Sequence, residues 1–340
     1  MSDPAGDYIA WFEQTGVHDR PRVGGKGAGL AELQRAELSI PPGFVLTTAA
    51  FRHFRDGCAG AADPVALRAR MESTPLPAAI GAPLLEAYRR LGDGADDAAV
   101  AVRSSATAED SAEASFAGLQ DTFLWVRGEA NVLDAVRRCW ASLYGDPAVS
   151  YRARLKLDDD AMAMAVVVQR MVDARSAGVM FTRSPLTGDR SVVAICAAWG
   201  LGSAVVGGEV TPDEFVVNKI TGEIQRSIVS SKAIRHVPDH AGNGTRAEPV
   251  PEPMQERAAL EPDEIRALAA LARRVEQHFG QAQDIEWAID FEDRIFLLQS
   301  RPETVWSARE ARAAEEGRAG SPAEKPFDHV LSFFGKRPAP

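Results

Sequence analysis

Apolar positions Ile265, Leu268, Leu271, Ala272, Val275 and Phe279 recur at spacings of three and four, which predicts an amphipathic helix over about 264–279, ended by Gly280. Two unbroken apolar runs, 164–168 ending in Gln169 and 177–181 running into Thr182-Arg183-Ser184-Pro185, fit buried strands. Residues 99–102 form a third short run, and Arg103-Ser104-Ser105 would place a cation at its end. Residues 284–290 and 295–301 alternate about a short polar turn and predict a β-hairpin. With the turn centred between Glu292 and Asp293, Glu286 falls opposite Gln299 and Asp284 opposite Arg301, all on one face. Ile285, Trp287, Ile289, Phe296 and Leu298 would form the core face.

This mixture of helical and strand periods predicts an α/β or α+β protein. Loop-like stretches at 56–64 and 91–98 bracket a small helical insert, and 237–263, rich in Pro, Gly and charge, reads as a link between two parts of one domain. Beyond Trp306 the chain is charged and Ala-rich until a short apolar patch around Val330, Leu331, Phe333 and Phe334, which predicts a mobile tail with an end able to dock.

Composition narrows the partners. The chain has 340 residues, 45% of them hydrophobic, enough for two lobes with separate cores. A net charge of −10 opposes nucleic acid or anionic membrane as a partner through bulk attraction, so phosphate binding has to be local. The start lacks a basic segment followed by an apolar one, and no 18 consecutive apolar residues occur, so a cytoplasmic address is expected. Cys58, Cys139 and Cys196 are distant and odd in number, which suits packing residues better than a disulfide framework or metal site.

Five segments bear on the chemistry. Val23-Gly24-Gly25-Lys26-Gly27-Ala28-Gly29-Leu30 offers backbone N–H groups and one lysine to an anion, although it is not a P-loop and also reads as a plain glycine-rich turn. Arg103 with the Ser, Thr and Gly residues after it suits phosphate; the alternative is a surface loop with helix caps. Gln169 at a strand end suits a nucleotide base or ribose. The segment 192–208 resembles a dinucleotide fingerprint but has Val205 where glycine is required, so its glycines are read as a mobile loop. In the hairpin, Glu286 and Gln299 are oxygen donors suited to Mg²⁺, and Arg301 suits a transferring phosphoryl group; the alternative is a solvated face with an Asp284–Arg301 ion pair.

Together, VGGKGAGLAEL, SIPPGFVLTTAAF, AVRSSATAEDSAEASFAGLQDTF, AGVMFTRSPLTG, GGEVTPDEF and DIEWAID…IFLLQSRPET, in this order, resemble the nucleotide-binding domain of phosphoenolpyruvate synthase, pyruvate phosphate dikinase and rifampin phosphotransferase, over about residues 20–305. The resemblance implies an α+β, ATP-grasp-like fold in which two lobes close over ATP and Mg²⁺. One lobe is expected over 1–190 with the insert near 56–98, the other over 191–306 with the hairpin, and a linker and tail over 307–340. It implies Lys26 and Arg103 as phosphate ligands, Gly118 and Thr122 in a phosphate-covering loop, Gln169 on the adenosine side, Glu286 and Gln299 as metal ligands, and Arg301 as a phosphoryl clamp.

The resemblance further implies an ATP-dependent phosphotransferase that passes a phosphoryl or pyrophosphoryl group to a histidine on a swivelling domain, which then phosphorylates a small molecule. None of the six histidines has the Gly-Gly-x-Thr-Ser-His-like surroundings of such an acceptor. The expectation is therefore an ATP-binding subunit working with a histidine-bearing phosphocarrier partner, similar to the arrangement in phenylphosphate synthase, with phenol or pyruvate as the final acceptor. A truncated fragment of a phosphoenolpyruvate synthase and a non-catalytic nucleotide-sensing module remain as alternatives.

Overall fold

The computed structural model describes residues 8–61, 63–93, 97–107, 121–155 and 163–307. The chain divides into two compact units, the first made of Met1–Arg35, Ile40–Met171 and Asp239–Thr245, the second of Ala36–Ser39, Val172–Pro238 and Arg246–Pro340. The mixture of helices with antiparallel sheets makes each unit α+β.

In the first unit the elements run β1 (Ile9–Trp11), α1 (Arg20–Arg35), β2 (Gly43–Leu46), α2 (Thr48–Gly57), α3 (Pro64–Ser73), α4 (Ala78–Leu91), β3 (Val100–Ala106), β4 (Thr122–Val126), α5 (Glu129–Ser142), α6 (Asp146–Leu155) and β5 (Met164–Arg170). The strands pair antiparallel in the order β1-β2-β5-β3-β4. Alternation sends Phe44, Leu46, Val100, Val102, Val166 and Val168 to one face, where they are buried with Phe51, Phe54, Leu84, Tyr88 and Trp140 of the helices. The Trp140 indole N–H donates to the Met164 carbonyl at 3.1 Å, so this large core residue leaves its polar atom satisfied. Arg103, Val167 and Gln169 occupy the opposite face, against which α1 packs. The expected helical insert is α3 and α4; the Asp63 carboxylate caps α3 by accepting the Ala66 N–H at 2.8 Å, with Pro64 in the first turn.

The second unit contains β6 (Ala174–Phe181), β7 (Val192–Trp199), α7 (Ser203–Val206), β8 (Asp213–Asn218), β9 (Ile224–Ile228), β10 (Ile234–Pro238), β11 (Thr245–Pro249), α8 (Glu252–Gln255), α9 (Pro262–Phe279), β12 (Gln283–Asp290) and β13 (Ile295–Pro302). Six strands pair antiparallel in the order β13-β12-β6-β7-β8-β9, while β10 and β11 make a separate pair. Helix α9 is the amphipathic helix expected from the apolar spacing: Glu261 and Glu264 form a capping box, and Gly280 closes it in the left-handed conformation at φ 69°. It buries Ile265, Leu268, Ala272 and Val275 and packs on β12, β7, β8 and β6.

Three details differ from the sequence reading. The units change over between Met171 and Val172 rather than near 190, because β6 pairs with β7 and β12 and so belongs to the second sheet. The stretch 237–263 holds β11 and α8 rather than being only a link. The glycines after β7 form a hydrogen-bonded turn around α7, with Gly200 N–H donating to the Arg175 carbonyl at 2.9 Å and Gly207 N–H to the Ser203 carbonyl at 2.8 Å. Gly118 and the tail beyond Ser307 lie outside the described residues.

Candidate functional site

The β12–β13 hairpin sets its register through the turn. The Asp290 carboxylate accepts the backbone N–H groups of Glu292 and Arg294, both at 2.9 Å, and the Arg294 Nε–H at 2.7 Å. Burial pushes this carboxyl up, but those hydrogen bonds and the Arg294 charge outweigh it and hold the group below its usual range. From that turn the ladder pairs Ile289 with Ile295, Ala288 with Phe296 and Trp287 with Leu297. A bulge then intervenes, and the ladder resumes with Glu286 opposite Gln299 and Asp284 opposite Arg301, the pairs expected from the sequence.

The bulge corrects the core face. Leu297 pairs with the buried Trp287 and is itself buried, whereas Phe296 and Leu298, expected there, are half-exposed. Strict alternation could not reveal this, because one additional residue in β13 inverts which positions share a side.

On the face these two pairs share, Asp284 is 6% exposed and Gln299 9%, with Glu286 and Arg301 half-buried. Asp284 Oδ2 lies 3.5 Å from Arg301 Nε. The ion pair weighed as the alternative reading is therefore real, but the face is not a solvated one. In β6, Phe181 sits opposite Asp284 and Val179 opposite Glu286, and both belong to an apolar cluster with Cys196, Ala198, Ala204 and Val205. Val179, Phe181, Asp284, Glu286, Gln299 and Arg301 line a small recess. A carboxylate and a carboxamide side by side over this apolar floor supply hard oxygen donors in a partly dehydrated setting. Among the described residues no three His, Cys, Asp or Glu side chains gather as a metal site. That donor set fits a cation such as Mg²⁺, which takes few protein ligands and completes its shell with water and phosphate oxygens.

In the first unit the glycine cluster meets the end of β3. Gly24 has φ 71°, a Cβ there would lie 2.2 Å from the Ser105 carbonyl oxygen, and α1 kinks at this residue. The fully buried Ser105 hydroxyl donates to the Val23 carbonyl at 2.9 Å and accepts the Gly27 N–H at 3.2 Å, clasping both sides of the kink. At least two glycines of the cluster thus serve close approach of α1 to a strand. Lys26 follows the kink and donates from Nζ to the Ser104 carbonyl at 2.9 Å. Arg103 lies next to Ser104 and directly across the ladder from Thr122. Arg103 is the middle residue of β3 rather than its end, because pairing with β5 continues through Ala106. The structure brings Lys26, Arg103 and Thr122 to this part of the strand, two cations and a hydroxyl in a setting suited to phosphate oxygens.

Gln169 sits on the same sheet face as Arg103, two pairs further along β5, with its Nε2 donating to the Pro41 carbonyl at 3.2 Å and 2% of its surface exposed. The three cysteines are buried and unpaired with one another, as packing residues should be. Burial raises the Cys196 thiol to about 12 and raises that of Cys139 further, with the Asp121 charge adding to the effect at Cys139.

Sequence reasoning missed two polar anchors. Ser105 is one, because its partners stand 78 and 82 residues away in the chain. The other is the wholly buried pair Asp213–Lys232, in which Asp213 also accepts the N–H groups of Ser230 at 2.9 Å and Ala259 at 2.7 Å. Only the buried position of Lys232 distinguishes it from a surface lysine, and no local pattern announces that.

Comparison with known proteins adds a family. The pyruvate phosphate dikinase AMP/ATP-binding domain matches residues 20–320. Phosphoenolpyruvate synthase of Aeropyrum pernix is 41% identical over 366 residues, which cover 93% of this chain and 44% of that protein. A probable phosphoenolpyruvate synthase of Methanothermobacter thermautotrophicus is 43% identical over 321 residues, covering 88% of this chain and 46% of the other. Rifampicin phosphotransferase of a Streptomyces species is 43% identical over 304 residues, covering 83% of this chain and 34% of the other. The chain thus spans under half the length of each of these relatives. No helix among the described residues is long and apolar enough to cross a membrane.

Proposed function

The chain belongs to the pyruvate phosphate dikinase AMP/ATP-binding domain family, and from that premise we propose that it is the ATP-binding part of a phosphotransferase of ATP-grasp type. In this reading it transfers a phosphoryl or pyrophosphoryl group from ATP to a histidine carried by a partner protein or domain in the cytoplasm. The histidine then delivers the group to a small acceptor, pyruvate or a phenol. The observation that carries the reading is the pairing of Glu286 with Gln299 beside Asp284 and Arg301 on one hairpin face.

In the first unit, Lys26 and Arg103 neutralise phosphate oxygens, Thr122 and Gly118 contribute to covering the triphosphate, and Gln169 contacts the adenosine side. In the second, Glu286 and Gln299 hold Mg²⁺ and Arg301 steadies the transferring group. Mg²⁺, when bound, supplies a positive charge that offsets the charge developing on the phosphate oxygens. The protein's own part is positioning and charge stabilisation, since phosphoryl transfer asks for little covalent chemistry from it. The Arg301 guanidinium, held beside Asp284, is oriented before the nucleotide arrives, which lowers the ordering cost at the moment of transfer.

The test is phosphate release and carrier labelling from ATP with and without a histidine domain taken from a full-length relative. The reading expects a labelled histidine on the added domain and a nucleotide product that forms only in its presence. ATP binding with no labelling of any such domain would instead favour a nucleotide-sensing module, and absence of ATP binding would refute both.

A further inference from the structure

The glycine-rich turn after β7 carries a cluster that the phosphotransfer reading does not use. The Ser203 hydroxyl lies 2.8 Å from His236 Nδ1, and His236 Nε2 lies 3.2 Å from a Glu209 carboxylate oxygen. All three belong to the second unit. Their backbones are fixed independently of their side chains. A Cβ on Gly200 would lie 2.3 Å from the His236 carbonyl oxygen, and Leu201 N–H donates to that same oxygen at 2.9 Å, which ties β10 to the turn. Glu209 N–H donates to the Ala204 carbonyl at 3.0 Å, which folds the chain back so that Glu209 reaches the imidazole.

A serine on a histidine is by itself only a structural tie. The carboxylate on the second ring nitrogen changes its chemistry. An ionised carboxylate only accepts hydrogen bonds, so Glu209 keeps the neutral ring's proton on Nε2. Nδ1 is then left to accept from the Ser203 hydroxyl. This is the nucleophile, base and orienting acid arrangement that activates a hydroxyl. Ser203 and His236 are half-buried and Glu209 is exposed, so a small molecule can reach the hydroxyl.

We propose that Ser203, His236 and Glu209 form a base-activated serine nucleophile that accepts an acyl group from a small, uncharged, activated ester. In the step, Ser203 Oγ bonds to the ester carbonyl carbon and its proton passes to His236 Nδ1. The ester C–O bond then breaks, and the leaving alcohol takes that proton, so the products are acyl-Ser203 and the free alcohol. Glu209 remains hydrogen-bonded to Nε2 throughout and stabilises the transient imidazolium. The proposal stands on this cluster alone and is independent of the phosphotransfer reading.

The probe is an uncharged fluorophosphonate, in which the serine oxygen displaces fluoride from phosphorus, followed by intact mass and peptide mapping of the full chain, folded and in urea. The folded chain is expected to gain one adduct, on Ser203, and the urea-treated chain none. Ser203→Ala should abolish it, and His236→Gln should slow it about a hundredfold, the range of general-base assistance. Glu209→Gln, at an exposed position, should slow labelling several-fold even if the histidine variant fails to fold. No adduct on Ser203 in the folded chain, or an unchanged rate in Glu209→Gln, overturns the proposal. With p-nitrophenyl acetate the same serine should carry the acetyl group, and an acetyl adduct elsewhere but not on Ser203 counts against it.

Discussion

Glu286 and Gln299 face one another at the last ladder pair before the bulge in the β12–β13 hairpin. The bulge changes which side chains share a face beyond this pair, so a one-residue change in the strand would separate the carboxylate from the amide oxygen. If the two are Mg²⁺ ligands, Glu286→Ala and Gln299→Ala should each weaken Mg²⁺-dependent ATP binding and lower carrier labelling by about a hundredfold, the scale of losing one electrostatic contact to a transferring group. Both positions lie on the candidate-site face rather than in the apolar core, so thermal midpoints should move little. Isothermal titration with and without Mg²⁺, beside a melting curve, separates loss of site from loss of fold.

Asp290 holds that register from the turn. Asp290→Ala removes acceptors for two backbone N–H groups and the Arg294 guanidinium, and should cost about 1–3 kcal/mol in urea unfolding. The pH dependence has a definite sign. A carboxyl held below its usual range when folded contributes stability that is present above its unfolded pKa and is lost as pH falls through the lower folded value. Wild-type stability should therefore decline on acidification below about pH 4, and Asp290→Ala should show a shallower decline in that window.

Much of the second unit's candidate site was legible because its pairing is local. The hairpin turn fixes Glu286 opposite Gln299 across a dozen residues, and alternation identifies the face. The bulge was not legible: Leu297 and Leu298 are both leucine, and nothing in composition says which one pairs with Trp287. In the first unit the residue types were visible but their purpose was mixed. Gly24 looked like a phosphate-binding glycine, yet the atom it approaches is the Ser105 carbonyl, and a contact between residues so distant in sequence leaves no periodic trace. The change of unit at Met171 was hidden for the same reason, since only strand pairing assigns β6 to the second sheet.

Gly24 gives the sharpest stability test of that contact. A methyl group there meets the Ser105 carbonyl oxygen at 2.2 Å and its hydroxyl at 2.3 Å, with φ already at 71°. Gly24→Ala should cost on the order of 3 kcal/mol or more, because both strain and overlap are imposed on a buried strand end. Gly222 has φ 72° and nothing within 4 Å, so Gly222→Ala carries the backbone strain alone, about 1–2 kcal/mol. Equal losses in the two variants, measured by urea midpoint, would mean that the Ser105 clasp is not what demands glycine.

The cysteines supply a prediction at the alkaline end. Burial raises the Cys196 thiol to about 12, so the folded chain keeps that proton over a range in which the unfolded chain has given it up. The stability contributed by this buried thiol is complete below the unfolded pKa and is lost as pH rises through the folded one. Iodoacetamide at pH 8 should leave Cys139 and Cys196 unmodified in the folded chain and alkylate all three cysteines in urea. Rapid native labelling of Cys196 would show local opening of the sheet at β7.

Lys232 sits at zero exposure with its ammonium shared between Asp213 Oδ1 at 2.5 Å and the Ser230 carbonyl at 2.7 Å. Removing the lysine leaves a buried carboxylate without its counter-charge, so Lys232→Met should destabilise by about 3–5 kcal/mol. Asp213→Leu should be at least as costly, because Asp213 also accepts the Ser230 and Ala259 N–H groups and an aliphatic side chain strands both. Removing both charges together spares the uncompensated ion but not those two amides. The double variant should therefore be more stable than the sum of the single losses predicts, yet still below the parent. Equilibrium unfolding of the four proteins in a double-mutant cycle measures this directly, and strict additivity would show that the two side chains do not stabilise each other.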